Sequence, residues 1–258
     1  MTRNRQVLVM LHGGAMSSRS LHPIAERLPQ YRCLTPDLRG HGANRGQVFS
    51  SLACCAEDIA TRLEGEDAPV HLFGLSLGGY VAMTLLAQHR IPIRSAVISG
   101  VVLRALRHPR AMEAAVQLVY PLLGVRALRR VAGRLAGISD PGALSDPQGQ
   151  GWATPATVRD LARAVLRADP AQLMAAQSVR SLYLAGSQEP AAVVKGLSGV
   201  AAQSTHARAG IIPDAGHGWC LNDPDLAARI LAAWISAQPL PSDVTLLHSK
   251  QVNQRGIP

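Results

Sequence analysis

The sequence is poor in aromatic side chains, which make up 3% of its 258 residues. A core or a ligand pocket must therefore be built mainly from aliphatic side chains. Hydrophobic residues account for 47% and charged residues for 17% of the chain, a balance typical of a globular protein rather than a disordered one. The length suits one large catalytic domain.

Cysteine is scarce as well. The few cysteines show no metal-ligand spacing, and they are Cys33, Cys54, Cys55 and Cys220. We expect reduced thiols in a reducing compartment, and thus a cytoplasmic protein. We also expect that the protein uses neither a metal nor a cofactor.

We expect neither an export signal nor a membrane span. The apolar run Val7–Leu11 begins too close to Met1 to leave room for a separate signal peptide. The longest apolar stretch, 69–87, approaches the length of a membrane span but contains His71, Ser76 and several glycines. Its periodicity changes along its length, which predicts a strand that turns into a helix.

Acidic residues are outnumbered, with 17 Asp and Glu against 26 Lys and Arg and a formal net charge of +9. Much of the excess lies mid-chain, at Arg104, Arg107, Arg110, Arg126, Arg129, Arg130 and Arg134. This segment lacks interleaved aromatics and matches no nucleic-acid-binding motif. It predicts a solvated basic face and no nucleic-acid partner, and it says nothing about oligomeric state.

Short apolar runs alternate with helix-length segments along the chain. The predicted strands are 6–12, 32–36, 70–74, 95–99, 181–186 and 207–213, and the predicted helices are 21–28, 52–63, 77–89 and 223–237. Several strands lack polar alternation, as expected when helices cover both faces of a parallel sheet. The pattern predicts an α/β fold with a mostly parallel, doubly wound sheet of about six strands.

A long helical stretch interrupts this alternation. Its helix-like segments are 111–120, 126–135 and 157–166, with a breaker-rich segment at 139–154. We predict a helical cap insert, 102–179, on a core formed by 1–101 and 180–237, followed by a loosely ordered C-terminal tail, 238–258. The alternative is that the inserted helices simply pack on the sheet.

A glycine-rich turn at 74–79 carries the candidate nucleophile, Ser76. It follows a predicted strand and opens a predicted helix, so the serine hydroxyl should project beyond the sheet edge. The amide of Leu77 would then lie at a helix N-terminus, where it can stabilise an oxyanion. Gly14, in the His12-Gly13-Gly14 loop after the first strand, can supply the second amide. The alternative is an ordinary strand-helix turn with an incidental serine.

Two further residues complete a candidate triad. His217 lies in a glycine-flanked loop just past the last predicted strand, where a general base can reach the nucleophile. Glu189, shortly after the penultimate strand, is the candidate carboxylate that orients the imidazole. A surface glutamate is the alternative reading, and Asp214 and Asp169 are the competing carboxylates.

The chain resembles the α/β-hydrolase superfamily from His12 to about Trp234. The matching pieces are the His12-Gly13-Gly14 loop and the segments 36–42, 74–79, 186–189 and 216–217. The resemblance implies that Asp37 and Arg39 shape a loop without doing chemistry, and that the sheet lacks the first two strands of a full-length member. Glu189 stands where the commonest pattern has aspartate.

These residues predict a serine hydrolase that cleaves an ester, thioester or lactone of a small to medium apolar molecule through an acyl-enzyme. The expected partner is thus a small-molecule acyl substrate. Acyl transfer from the same acyl-enzyme and non-covalent binding or cyclase-type chemistry are the alternatives. A metal-dependent hydrolase finds no support, because no ligand cluster has the required spacing.

Overall fold

The computed structural model describes residues 5–104, 153–176, 178–200 and 204–247, together with 110, 111, 113, 114, 118, 137 and 138. Its strands form one sheet in the order β2-β1-β3-β4-β5-β6-β7, in which only β7 runs antiparallel to its neighbour. The strands are β1 (Val7–Leu11), β2 (Arg32–Leu34), β3 (Val70–Leu75), β4 (Ile93–Ser99), β5 (Arg180–Gly186), β6 (Ala207–Ile212) and β7 (Thr245–Leu247).

Helices flank the sheet on both faces. They are α1 (His22–Ala25), α2 (Leu52–Arg62), α3 (Leu77–Gln88), α4 (Pro155–Arg167), α5 (Pro170–Ala175), α6 (Ala191–Leu197), α7 (Trp219–Asn222) and α8 (Pro224–Ile235). One buried cluster joins α2 and α3 to the sheet, and a second joins α1 and α8 to its other face. Every residue of β1 and β3 is buried, which explains why these strands carry no polar alternation.

Side-chain caps set where several helices begin. Ser51 accepts a hydrogen bond from the Cys54 amide at the start of α2, and Asp223 accepts one from the Leu226 amide at the start of α8. Thr154 caps α4 in the same way. These caps fix the point at which the chain leaves a loop for a helix.

The predicted α/β class and the mostly parallel, doubly wound sheet are confirmed, and each of the six predicted strands is present. The sheet has seven strands rather than about six. The additional strand, β7, lies in the segment predicted to be a loose tail and pairs with β6. Residues 248–258 lie outside the described residues.

The predicted helix 157–166 falls within α4. The predicted helices 111–120 and 126–135 and the breaker-rich segment 139–154 lie almost entirely outside the described residues, so the division into core and cap stays a prediction. Among the helices that the structure describes, none has both the length and the apolar character needed to cross a bilayer.

Candidate active site

Ser76 stands alone between the end of β3 and the start of α3, in a backbone conformation rarely adopted by L-residues, with φ 53° and ψ −114°. The glycines around it are required by close backbone contacts. A Cβ atom on Gly74 would lie 2.4 Å from the carbonyl oxygen of Gly78, and one on Gly78 would lie 2.1 Å from that of Leu11. The turn therefore brings the start of α3 against the end of β1.

Backbone hydrogen bonds hold this turn to both neighbouring strands. The Ser76 amide donates to the carbonyl of Ser99 at 2.8 Å, and the Gly78 amide donates to that of His12 at 3.1 Å. Ser99 ends β4 and His12 follows β1, so the serine is fixed at the carboxyl edge of the sheet.

Gly14 and Leu77, the predicted oxyanion donors, belong to the two segments that meet at this edge. Leu77 is the first residue of α3, where helix amides have no intrahelical acceptor. Neither amide donates a hydrogen bond to another described residue. A Cβ atom on the neighbouring Gly13 would lie 3.6 Å from Ser76 Cβ, which shows how closely this loop approaches the serine.

His217 and Glu189 are brought into direct contact. The imidazole Nδ1 lies 2.6 Å from Glu189 Oε2. The carboxylate is completely buried, whereas the imidazole is 25% exposed. Because Nδ1 faces the carboxylate, Nε2 is left free to face another group.

Two adjacent loops carry this pair. The loop after β5 is anchored to the end of β6 by the Ser187 amide, which donates to Ile212, and by the Gln188 amide, which donates to Ala215. A Cβ atom on Gly186 would lie 2.1 Å from the Ala215 carbonyl oxygen. Only glycine lets the loop that carries Glu189 pack this tightly on the loop that carries His217.

Gly100 is part of the site although the sequence analysis did not select it. It follows β4 with a φ of +69°, and a Cβ atom there would lie 2.5 Å from His217 Cε1. The end of β4 therefore reaches both parts of the site. Gly100 lies beside the imidazole of His217, and the carbonyl of Ser99 accepts the Ser76 amide. In the described part of the chain no hydrogen bond joins the Ser76 hydroxyl to His217, an arrangement common before a substrate is bound.

The competing carboxylates have other contacts. Asp214 is exposed and its amide donates to Ser187 Oγ. Asp169 accepts a hydrogen bond from the Gln172 amide and caps α5. Neither is hydrogen bonded to His217 among the described residues.

Two buried histidines brace the loop that contains Gly14. His12 Nδ1 donates to the Gly13 carbonyl and Nε2 accepts from the Leu38 amide, while His41 Nε2 accepts from the Ala15 amide. Burial lowers the pKa of His12 to about 4, so it is neutral near pH 7 and can act as a hydrogen-bond acceptor.

Asp37 and Arg39 hold the neighbouring loop together. Asp37 accepts hydrogen bonds from the amides of Ser18 and Ala43. Arg39 forms a two-point ion pair with Asp58 at 2.6 and 2.8 Å. These contacts agree with the loop-shaping role that the superfamily resemblance implied.

The α4 helix lies over the same edge of the sheet. A Cβ atom on Gly14 would lie 3.1 Å from Leu161 Cδ1, and one on Gly40 would lie 2.4 Å from Thr157 Cγ2. Two further residues of α4, Val158 and Ala162, are buried. Leu161 therefore places an apolar side chain beside Gly14. Among the residues that the structure describes, no cluster of metal-ligating side chains is present.

The fold and this site agree with a family match. The model of the Alpha/beta hydrolase family matches residues 8–230, so the chain belongs to this family. The pimeloyl-acyl-carrier-protein methyl ester esterase of Nitrosomonas europaea is 44% identical over 88 residues, which cover 34% of each chain. A protein of the same name from Xanthomonas axonopodis pv. citri is 25% identical over 247 residues, covering 90% of this chain and 96% of the relative.

Solved structures show the same fold. MenH from S. aureus has a TM-score of 0.73 at 21% identity, and the match covers 91% of this chain and 94% of that one. At this identity the likeness concerns the fold alone.

Proposed function

We propose that Ser76 is the nucleophile of a serine hydrolase, that His217 is its general base, and that Glu189 orients the base. The observation that carries this proposal is the 2.6 Å contact between His217 and the buried carboxylate of Glu189, beside a strained serine at the sheet edge. The chain is an ester-hydrolysing enzyme of the α/β-hydrolase family, as its family match and its esterase-named relatives support.

The reaction has two steps. Ser76 Oγ attacks the acyl carbon while His217 Nε2 takes the hydroxyl proton, and the amides of Gly14 and Leu77 bind the oxyanion. The bond to the alcohol then breaks, and His217 returns the proton to the leaving oxygen. Water, activated by His217, attacks the acyl-enzyme and releases a carboxylic acid and free Ser76. No cofactor is needed.

The substrate class follows from the surface around the serine. Leu161 presents an apolar side chain beside Gly14, which suits the acyl group of a small to medium apolar ester, thioester or lactone. The relatives are named for cleaving a methyl ester, a bond of the same kind. The proposed partner is thus a small acyl molecule and not a nucleic acid.

A cytoplasmic location belongs to the same proposal. All four cysteines are free thiols, although the chain contains the adjacent pair Cys54 and Cys55. Free thiols persist most readily in a reducing compartment.

Labelling with a small fluorophosphonate tests the nucleophile without the natural substrate. We expect one covalent adduct by intact mass on the wild type, none on Ser76→Ala, and a wild-type adduct on the control Ser198→Ala, which changes a half-buried serine outside the candidate site. Ester turnover should be lost only in Ser76→Ala. An adduct that persists in Ser76→Ala, or undiminished turnover by that variant, would contradict the proposal.

A further inference from the structure

Ser99 contacts both halves of the candidate site. It is completely buried at the end of β4. Its carbonyl oxygen accepts the Ser76 amide at 2.8 Å, and its side-chain Oγ accepts the indole N–H of Trp219 at 2.9 Å. Trp219 follows His217 by two residues. One serine therefore links the turn of the nucleophile to the segment of the base.

Trp219 is well placed to hold the segment of His217 in position. Its side chain is 3% exposed and packs in the cluster that joins α1 and α8 to the sheet. Its amide donates to the Gly216 carbonyl at 3.2 Å, which closes a turn around His217. Because the indole is held in the core and the turn is closed, the position of the His217 backbone depends on the indole.

The contact between Glu189 and His217 has a different effect. It fixes the imidazole ring through Nδ1. It does not fix the distance between the His217 segment and Ser76. Glu189 lies on the loop after β5, and among the described residues no hydrogen bond joins its side chain to the serine turn. The Ser99 to Trp219 hydrogen bond does connect these two segments directly.

We propose that Ser99 and Trp219 are positioning residues that hold His217 at the distance from Ser76 needed for proton transfer. The inference rests on the proposed function, because it takes Ser76 as the nucleophile. Without Ser99 Oγ the indole N–H would be buried with no acceptor, which favours a shift of the segment. Proton transfer depends steeply on such a shift.

The first test compares two buried serines on the same strand. In Ser99→Ala we expect kcat for an activated ester to fall on the order of tenfold to a hundredfold, with KM nearly unchanged, because Ser99 does not touch the substrate. The rate of fluorophosphonate labelling should fall by the same factor. The control is Ser95→Ala: Ser95 is 1% exposed and hydrogen bonded to His71 Nδ1 at 2.8 Å, away from the site. It loses a similar bond and should keep the wild-type kcat.

The second test compares two buried tryptophans. Trp219→Phe removes the indole donor and should lower kcat as Ser99→Ala does. The control is Trp234→Phe, since Trp234 is 4% exposed in the same cluster and its Nε1 has no hydrogen-bond partner among the described residues. The double variant Ser99→Ala/Trp219→Phe should lose little more kcat than Trp219→Phe alone, because both changes remove the same hydrogen bond.

The outcomes separate this inference from the proposed function. Wild-type protein that takes no label, together with an active Ser76→Ala, overturns both. Rapid labelling of the wild type with an equal rate in Ser99→Ala overturns the positioning role alone, as does an equal loss of kcat in Ser99→Ala and Ser95→Ala. If Ser99→Ala does not fold, the tryptophan pair decides: equal kcat in Trp219→Phe and Trp234→Phe overturns the inference, and a selective loss in Trp219→Phe supports it.

Discussion

Glu189 and His217 form a hydrogen bond of 2.6 Å in which the carboxylate is fully buried. The other carboxylate oxygen, Oε1, accepts the Gly186 amide at 3.0 Å. Both oxygens are therefore engaged, and the side chain has little freedom to turn away. A buried carboxylate held in this way can keep the imidazole in one tautomer and stabilise it when it is charged.

Replacing this carboxylate should nearly abolish catalysis. In Glu189→Gln we expect kcat to fall on the order of 10⁴-fold, by analogy with other triad acids, because the amide no longer stabilises the protonated imidazole. Steady-state kinetics on an activated ester measures the effect. Asp214→Asn, which changes an exposed carboxylate in the histidine loop, should have nearly wild-type kcat. A loss below roughly tenfold in Glu189→Gln would show that another group orients the base.

The space beside His217 should admit no side chain at position 100. Gly100 and Gly65 share a positive φ, +69° and +75°, but a Cβ atom would clash only at Gly100. Alanine at either position should cost about 1–2 kcal/mol of folding free energy for the backbone conformation. Only Gly100→Ala should also displace the imidazole and lower kcat, on the order of a hundredfold. Urea unfolding and ester kinetics on both variants measure the two effects, and a fully active Gly100→Ala would refute the expectation.

Leu161 should limit the length of the acyl group. Its side chain lies where a Cβ atom on Gly14 would come within 3.1 Å, and Leu161→Ala would open space beside the proposed oxyanion site. We expect kcat/KM for longer acyl esters to rise relative to short ones, on the order of tenfold. Leu166→Ala is the control, because this residue lies on a different face of α4. A series of p-nitrophenyl esters measures the preference. The same chain-length profile in wild type and Leu161→Ala would rule out this role.

Acid should destabilise the fold partly through His71. Burial, with Arg180 and Arg94, lowers the pKa of His71 from 6.5 to about 4. Between these values the unfolded chain binds a proton that the folded chain does not, so the free energy of unfolding falls as the pH falls through this window. The contribution is fully present above the upper value.

Removing the imidazole should make stability less dependent on pH. In His71→Phe the loss of unfolding free energy between about pH 7 and about pH 5 should shrink by about 1 kcal/mol, a figure reduced for solvent screening. Urea unfolding at both pH values measures it. An unchanged dependence in His71→Phe would assign the acid sensitivity to other groups.

Much of the fold could be predicted because most of the six predicted strands are largely buried, mainly apolar runs with clear ends. The seventh could not. The three residues of β7 are too few to show a period, and their pairing comes from the exposed edge of β6 rather than from local sequence.

The candidate site could also be predicted only in part. Ser76, His217 and Glu189 stand in short motifs with recognisable spacing, whereas Ser99 is an ordinary residue of a buried strand. Its contact with Trp219 joins positions 120 residues apart. Such a contact depends on how the strands are ordered in the sheet, and no local pattern reports it. The chemical roles of the triad residues stay predictions.

Both edges of the sheet consist of three-residue strands, β2 and β7. An edge strand exposes unpaired backbone groups to which another chain can add a strand. Three residues offer a template of only about 10 Å. Without β7 the open edge would be β6, which has six residues. The three residues of β7 therefore shorten the surface available for strand addition between molecules, which works against aggregation.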